Sequence, residues 1–290
     1  MWLIVDSGST KTDWALALSA QNYSIIKTAG INPVVQSEEQ IRQNIQHELL
    51  LKMRGEGLCA DSVERIYFYG AGCIPEKTHI IKNVLSQTFI NAESIEVESD
   101  LLGAARSLCG RKPGIACILG TGSNSCLYDG KEIVEHTPAL GFIIGDEGSG
   151  AALGKAFING ILKGWLPENL KQRFFEERHL DMASIIEAVY KLPSPNRFLA
   201  SCSEFVARNM SECPQLSDMV EANFDSFICK NILPYIDSVN NSLKMQLNAV
   251  GSVAYFYSAE LANVVKRHGL KIGKIEKGPL EGLVIYHFNI

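Results

Sequence analysis

Trp2-Leu3-Ile4-Val5-Asp6-Ser7-Gly8-Ser9-Thr10-Lys11-Thr12 opens the chain with a short apolar run that passes straight into a turn of small and hydroxyl residues. Trp14 to Leu18 then reads as a returning strand, so the turn closes a hairpin rather than starting a helix. The pattern recurs at Ile115-Ala116-Cys117-Ile118-Leu119, Gly120-Thr121-Gly122-Ser123-Asn124-Ser125 and Cys126-Leu127-Tyr128. Each turn places backbone N–H groups and hydroxyls at one rim of a sheet, an arrangement that accepts anionic oxygens. Two such turns facing each other would grip the phosphates of one nucleotide from both sides, which points to an enzyme that uses ATP. A Walker loop is excluded by spacing, because Lys11 follows Thr10 and only Gly8 lies upstream. Ordinary hairpin turns also favour glycine and serine, so one turn alone would carry little weight.

Outward from these turns the chain alternates strand and helix, as a layered α/β protein does. Residues 4–18 form the hairpin and 23–29 a third strand. Residues 37–53 form a helix with Ile41, Ile45 and Leu49 at helical spacing. A strand at 63–69, a helix at 76–89 and a short strand at 94–98 follow. The pattern restarts at Gly114, and Asp129-Gly130 marks a second hairpin before 131–136. Strand–turn–strand units in both halves imply an internal duplication, one copy per domain. Residues 149–240 read as mostly helical, with Phe224, Phe227, Ile228 and Ile232 on one apolar face and Pro193-Ser194-Pro195 as a loop between helices. A strand at 243–250 precedes Gly251-Ser252, which opens a helix over 253–268 capped by Gly269. The tail 279–288 reads as a last helix.

Composition narrows the function. The 290 residues suffice for two domains, and 46% hydrophobic with 20% charged residues is ordinary for a chain with a sizeable core. A net charge of −5 gives no basic footprint for nucleic acid. No apolar stretch approaches the ~20 residues that cross a bilayer, and no secretory leader is visible, so a cytoplasmic protein is expected. The eight cysteines include no C-x-x-C pair and read as free thiols, and the histidines show no metal-ligand spacing.

Asp6, at the end of the first strand, is placed to hold Mg²⁺ beside the β- and γ-phosphates, or simply to tie its own turn. Thr10, Lys11 and the neighbouring N–H groups would take phosphate oxygens. Asp100 ends another strand and precedes Leu101-Leu102-Gly103-Ala104-Ala105-Arg106. It reads equally as a helix N-cap and as a base that accepts a proton from an attacking hydroxyl. Gly145-Asp146-Glu147-Gly148-Ser149-Gly150 sets two acids among glycines, where Asp146 could take sugar hydroxyls.

These ordered motifs, together with Gly251-Ser252-Val253-Ala254, resemble the N-acetylglucosamine kinase family, within the BadF/BadG-type ATPases of the actin, sugar-kinase and heat-shock ATPase superfamily. The resemblance spans nearly the whole chain. It implies an α/β fold of two ribonuclease-H-like (actin-like ATPase) domains around an interdomain cleft. The first would cover 1–108 plus the C-terminal helix 279–290, and the second 109–278 with helical insertions. It further implies ATP and Mg²⁺ as cofactors, with phosphates held by Asp6, Ser9, Thr10 and Lys11 and by Gly120, Thr121 and Gly122. Gly251 and Ser252 would line the adenosine site, Asp6 would serve the metal and Asp100 would be the catalytic base. Asn32, Thr121, Asn124, Gly141 and Asp146 fall on sugar contacts. The implied reaction is transfer of the γ-phosphate to N-acetylglucosamine or a related amino sugar. The implied partners are a small sugar, with no nucleic acid and no membrane, and a homodimer is left open. Ser7 and Ser9 stand where these kinases usually carry glycine. An Asp-x-Gly-Ser-Thr turn also occurs in activator ATPases that act on a protein partner, which is the alternative reading.

Overall fold

The computed structural model describes residues 1–8, 10–238 and 245–289. The chain divides into two compact units, one of Met1–Lys112, Gly130–Ile133 and Gly278–Ile290, the other of Pro113–Asp129 and Val134–Lys277.

In the first unit β1 (Trp2–Ser7) pairs antiparallel with β2 (Lys11–Ser19), which pairs antiparallel with β3 (Asn22–Ala29). On the other side of β1 lie β4 (Arg65–Gly70) and β5 (Ser94–Ser99), both parallel, giving the order β3-β2-β1-β4-β5. β1 is central and covered on both faces, which is why Leu3, Ile4 and Val5 are all apolar and all fully buried. The pleat sorts them. Leu3 and Val5 pack with Trp14, Leu16 and Phe68 beneath helical residues such as Ile41, Leu49, Ile81 and Leu85. Ile4 faces the other way, with Ala15, Ala17, Tyr67 and Tyr69, against Leu283 and Val284 of the C-terminal helix (Leu280–Phe288).

The helix expected at 37–53 forms as α1 (Glu38–Asn44), which continues through a π turn (Ile45–Leu49) into Leu50–Gly55. Ser37 and Gln40 make a capping box at its start. The helix α2 (Thr78–Thr88) leads to β5, and α3 (Asp100–Cys109) follows directly. The cap of α3 corrects one reading: Ser99 is the N-cap, its hydroxyl accepting from Leu102 N at 3.2 Å. Ser99 still has the extended backbone of β5, as a cap requires, whereas Asp100 is already the first helical residue.

The second unit repeats the plan. β6 (Gly114–Leu119) pairs antiparallel with β7 (Ser123–Tyr128), and β8 (Ile133–His136) lies beyond β7. β9 (Gln246–Val250) and β10 (Lys271–Glu276) extend the sheet in parallel on the far side of β6, in the order β10-β9-β6-β7-β8. Read from either end, the two sheets have the same strand order, so the expected duplication is present.

Between β8 and β9 the chain forms a one-turn helix α4 (Gly141–Ile144), then α5 (Gly150–Lys163), α6 (Glu168–Arg178), α7 (Met182–Tyr190), α8 (Pro195–Asn209) and α9 (Pro214–Phe227). A π turn (Ile228–Ile232) carries α9 on into Leu233–Ser238. Phe157, Phe174 and Phe205 meet ring to ring at 5.1–5.5 Å in the core of this layer. The unbroken helix expected over 253–268 is instead two, α10 (Ser252–Phe256) and α11 (Ser258–Arg267), interrupted at Tyr257. At the break the buried Tyr257 hydroxyl bonds the Ser203 carbonyl. His268 is the C-cap of α11, and Gly269 follows with φ +71°. β10 went unread in the sequence, because Lys271-Ile272-Gly273-Lys274-Ile275-Glu276 is a polar edge strand. Among the described residues no helix is long and apolar enough to cross a membrane.

The C-terminal helix is fastened to the first sheet by His287. Its ring stacks on Tyr67 at 3.7 Å, and its Nε2 is hydrogen-bonded with the Tyr69 hydroxyl at 2.8 Å. Arg106 in turn donates to that hydroxyl at 2.7 Å. Burial, followed by the charges of Arg106 and Arg111, lowers the imidazole pKa to about 3. A folded-state value below the unfolded one means the unfolded chain binds the extra proton, so stability rises with pH between about 3 and the ordinary histidine range. The slope from this group is ~1.4 kcal/mol per pH unit. Urea unfolding at pH 4.5 and 7 should show a steeper loss in the natural protein than in His287→Phe; equal losses would remove His287 as the cause.

Candidate active site

The rim of the first sheet is built by the β1–β2 register. Ser7 faces Thr12 and Asp6 faces Asp13 across the hairpin. Gly8 N donates to Lys11 O at 2.9 Å to close the turn; Ser9 lies outside the described residues. Ser7 is fully buried, bonded to Thr12 Oγ1 at 2.7 Å, and its Oγ accepts from Ile31 N at 3.2 Å. A glycine could not make these bonds, so Ser7 ties the turn to the loop at residues 30–32. Thr10 joins the same loop through its carbonyl, which accepts from Gly30 N at 3.1 Å. Asn32 is set there as well: its Oδ1 accepts from Val34 N at 2.9 Å, and its N–H donates to Gln36 Oε1 at 2.7 Å.

Three carboxylates gather in this unit. Burial, then the charges of Asp100 and Asp13, push the Asp6 carboxyl up to about 7, with Lys11 pulling the other way. Burial also raises Asp100, against the hydrogen bond its Oδ1 accepts from Leu101 N at 2.9 Å. Lys11 bonds Asp13 Oδ2 at 2.6 Å, yet Asp13 Oδ1 is buried and has no hydrogen-bond partner. Hard oxygen donors with surplus negative charge and an orphaned carboxylate oxygen suit a hydrated divalent cation such as Mg²⁺, which would relieve all three. Asp13 was missed in the sequence, although the hairpin register of Ser7 with Thr12 puts it opposite Asp6.

In the second unit two segments far apart in the chain, residues 146–151 and Gly251, converge on the turn 120–122. Gly120 O accepts from Gly150 N at 2.8 Å and Thr121 O from Ala151 N at 3.1 Å, so the start of α5 is docked on the turn. Asp146, with φ 59°, lies over it, and its Oδ1 is 3.4 Å from Ser123 N. A Cβ at Gly122 would stand 3.0 Å from Asp146 Oδ2, so a side chain there would press directly on the Asp146 carboxylate. Burial raises the Asp146 pKa. Gly251 sits at φ +121° with its backbone against the Leu119 carbonyl, which any side chain there would strike. Ser252, Val253, Phe256 and Tyr257 then form one wall of a cavity of about 480 Å³, and Ser203, Glu204 and Arg208 of α8 help form the other. On β7, Asn124 Oδ1 accepts from Ser125 N at 3.0 Å and from His136 Nε2 at 2.9 Å, and burial lowers the His136 pKa. Gly141 begins α4, its carbonyl accepting from Gly145 N at 2.8 Å.

The loop that carries Asp146 is held from behind. Asn223 on α9 accepts from Gly148 N at 3.0 Å and donates to the Ser149 carbonyl at 3.1 Å, while Lys230 bonds Glu147 at 2.8 Å. Neither residue carries a local sequence signal, because each acts across the fold.

The two five-stranded mixed sheets with flanking helices are the α/β architecture of two-domain actin-like ATPase sugar kinases. No protein-family model matches the sequence, and no curated protein matches it. Solved structures do. A proposed N-acetylglucosamine kinase from Porphyromonas gingivalis is 45% identical, with a TM-score of 0.94 over 100% of this chain and 99% of that one. A proposed N-acetylglucosamine kinase from Chromobacterium violaceum is 17% identical, with a TM-score of 0.73 over 98% of each chain. A ROK-family glucokinase from Streptomyces griseus, solved with glucose and AMPPNP, is 15% identical, with a TM-score of 0.60 over 98% of this chain and 97% of that one. The latter two share the fold. With the first at 45% identity over its full length, the chain belongs to the N-acetylglucosamine kinase family.

The clamp on the acidic loop has a direct readout. In Asn223→Ala the Gly148 amide loses its acceptor, and at ~1 kcal/mol per hydrogen bond its hydrogen exchange should speed up several-fold. Amides at the centre of α5 should be unaffected. Unchanged exchange at Gly148 would mean that other contacts hold the loop.

Proposed function

We propose that this protein is an ATP-dependent kinase that transfers the γ-phosphoryl group of ATP to a hydroxyl of N-acetylglucosamine or a related amino sugar. The observation that carries the proposal is Asp100. Ser99 takes the capping duty, and the half-buried Asp100 carboxylate, its pKa raised by burial, lies beside Asp6 with one local hydrogen bond, from Leu101 N to its Oδ1. The 45% identity to the Porphyromonas gingivalis protein supports the same reading, and nothing comparable favours the protein-activating alternative.

In this mechanism Ser9, Thr10 and Lys11 of the first turn and Gly120, Thr121 and Gly122 of the second hold the phosphates. Asp6, with Asp13 behind it, would hold Mg²⁺, which supplies charge neutralisation at the phosphates. The base and ribose take the cavity bounded by Ser252 and α8, next to Gly251. Asn32, Thr121, Asn124, Gly141 and Asp146 orient the sugar. Asp100 accepts the proton of the sugar hydroxyl as that oxygen bonds to the γ-phosphorus and the bond to the β-phosphate oxygen breaks, releasing ADP. Positioning and charge stabilisation supply most of the rate, as in other phosphoryl transfers.

Asp100→Asn should lower kcat by roughly 10²–10⁴-fold with little change in ATP affinity. An ADP-release assay across amino sugars, anhydro sugars and simple hexoses identifies the substrate and measures the loss. A variant with near-normal kcat would end the role of Asp100 as base. The proposal also divides the ligand contacts between the two units, so sugar and nucleotide should each raise the other's affinity. The expected coupling is ~1–3 kcal/mol, about 5–150-fold. Calorimetric titration of a non-hydrolysable ATP analogue with and without saturating sugar measures it, and equal affinities would mean that sugar is not the second ligand.

A further inference from the structure

Apart from the phosphate turns, the second unit carries a mixed cluster of ligating side chains that the kinase reading leaves unused. Asp225 lies near the end of α9, Cys229 stands four residues on in the π turn, and His268 is the C-cap of α11. Their ligand atoms all lie within 4.8 Å of one another. His268 Nε2 is 2.7 Å from Asp225 Oδ1, and Cys229 Sγ is 3.9 Å from Asp225 Oδ2.

We infer that Asp225, Cys229 and His268 form a binding site for a divalent transition metal of the Zn²⁺ class. Metal–ligand bonds of ~2.0–2.3 Å to oxygen, nitrogen and sulfur put tetrahedral donors roughly 3.3–3.8 Å apart. The present spacings bracket that range, so rotations of side chains that are partly open to solvent reach it. The donor set selects the metal. Thiolate and imidazole favour Zn²⁺ and Co²⁺, whereas Mg²⁺ demands oxygen ligands and keeps its water. The site therefore does not compete for the Mg²⁺ assigned to the phosphates. Charge is compatible as well: Arg267, next to His268, is paired with Glu221, and the carboxylate and thiolate together balance the ion. On binding, the Cys229 thiol yields its proton to solvent as the sulfur–metal bond forms. Three protein ligands leave the fourth position to water.

The site would cross-link α9 to the end of α11. That matters because Asn223 and Lys230 on the same helical segment hold the loop 147–149. A metal here braces the segment that supports the loop, without touching the loop itself. The inference does not depend on the kinase assignment.

Chelator-treated full-length protein titrated with Co²⁺ tests it. One equivalent should bind, with a near-ultraviolet thiolate-to-cobalt charge-transfer band, and Zn²⁺ should displace it and raise the melting temperature. Cys229→Ser should abolish the band, and His268→Ala should weaken Co²⁺ binding at least tenfold. Cys59→Ser, which removes another exposed thiol, should leave both intact. Absence of the band in the natural protein would overturn the site, and so would its survival in Cys229→Ser.

Discussion

A strand buried on both faces must be apolar along its length, and it can carry a charge only where it leaves the core. β1 obeys that constraint: Leu3, Ile4 and Val5 are sealed, and Asp6 comes at the first place where a carboxylate can sit. Its neighbours inherit the arrangement. The antiparallel register sets Asp13 opposite Asp6, and the parallel strands β4 and β5 end at the same rim, where Asp100 starts α3. The rim is therefore acidic because the strands end together, and burial then raises the pKa values of Asp6 and Asp100.

The second sheet reuses the order of the first with different chemistry at its rim. β6 and β7 end in a turn of glycine and threonine, and the carboxylate comes from outside the sheet, on the loop before α5. One rim thus gathers fixed charge from its own strands, while the other offers backbone donors and borrows one acid.

Much of this was legible. The hairpin around residues 6–13 announced itself through an unbroken apolar run and a glycine turn, and the recurrence at 115–128 revealed the duplication. β10 was hidden because an edge strand needs only one apolar face, and Lys271, Gly273, Lys274 and Glu276 dilute even that. The π turns at Ile45–Leu49 and Ile228–Ile232 insert a single residue, which helical spacing does not register. Ser99 and Asp100 are both good caps, and only the pairing of Ser99 with Gly70 fixes where the strand ends and the helix starts. In the site, Asp6, Asp100 and the turns were visible as local motifs. Asn223 was not, because its bonds to Gly148 and Ser149 close over separations of 75 and 74 residues.

The same site explains why its details run against stability. Like charges directly opposite on a hairpin are unfavourable, and a buried carboxylate oxygen without a partner adds to that. Asp146 holds a backbone conformation that L-residues rarely adopt. Neutral residues would relieve the charge conflicts and glycine the backbone of Asp146, yet all lie at the two sheet rims. Local conflict confined to such positions marks a surface shaped by what it must bind. The surrounding structure is correspondingly over-determined, with Ser7 gripping one loop, Ser99 fixing one helix start and Asn223 clasping the strained loop from behind. A fold can keep unfavourable charge at a rim only if the backbone beneath it cannot relax, and these three side chains supply that restraint.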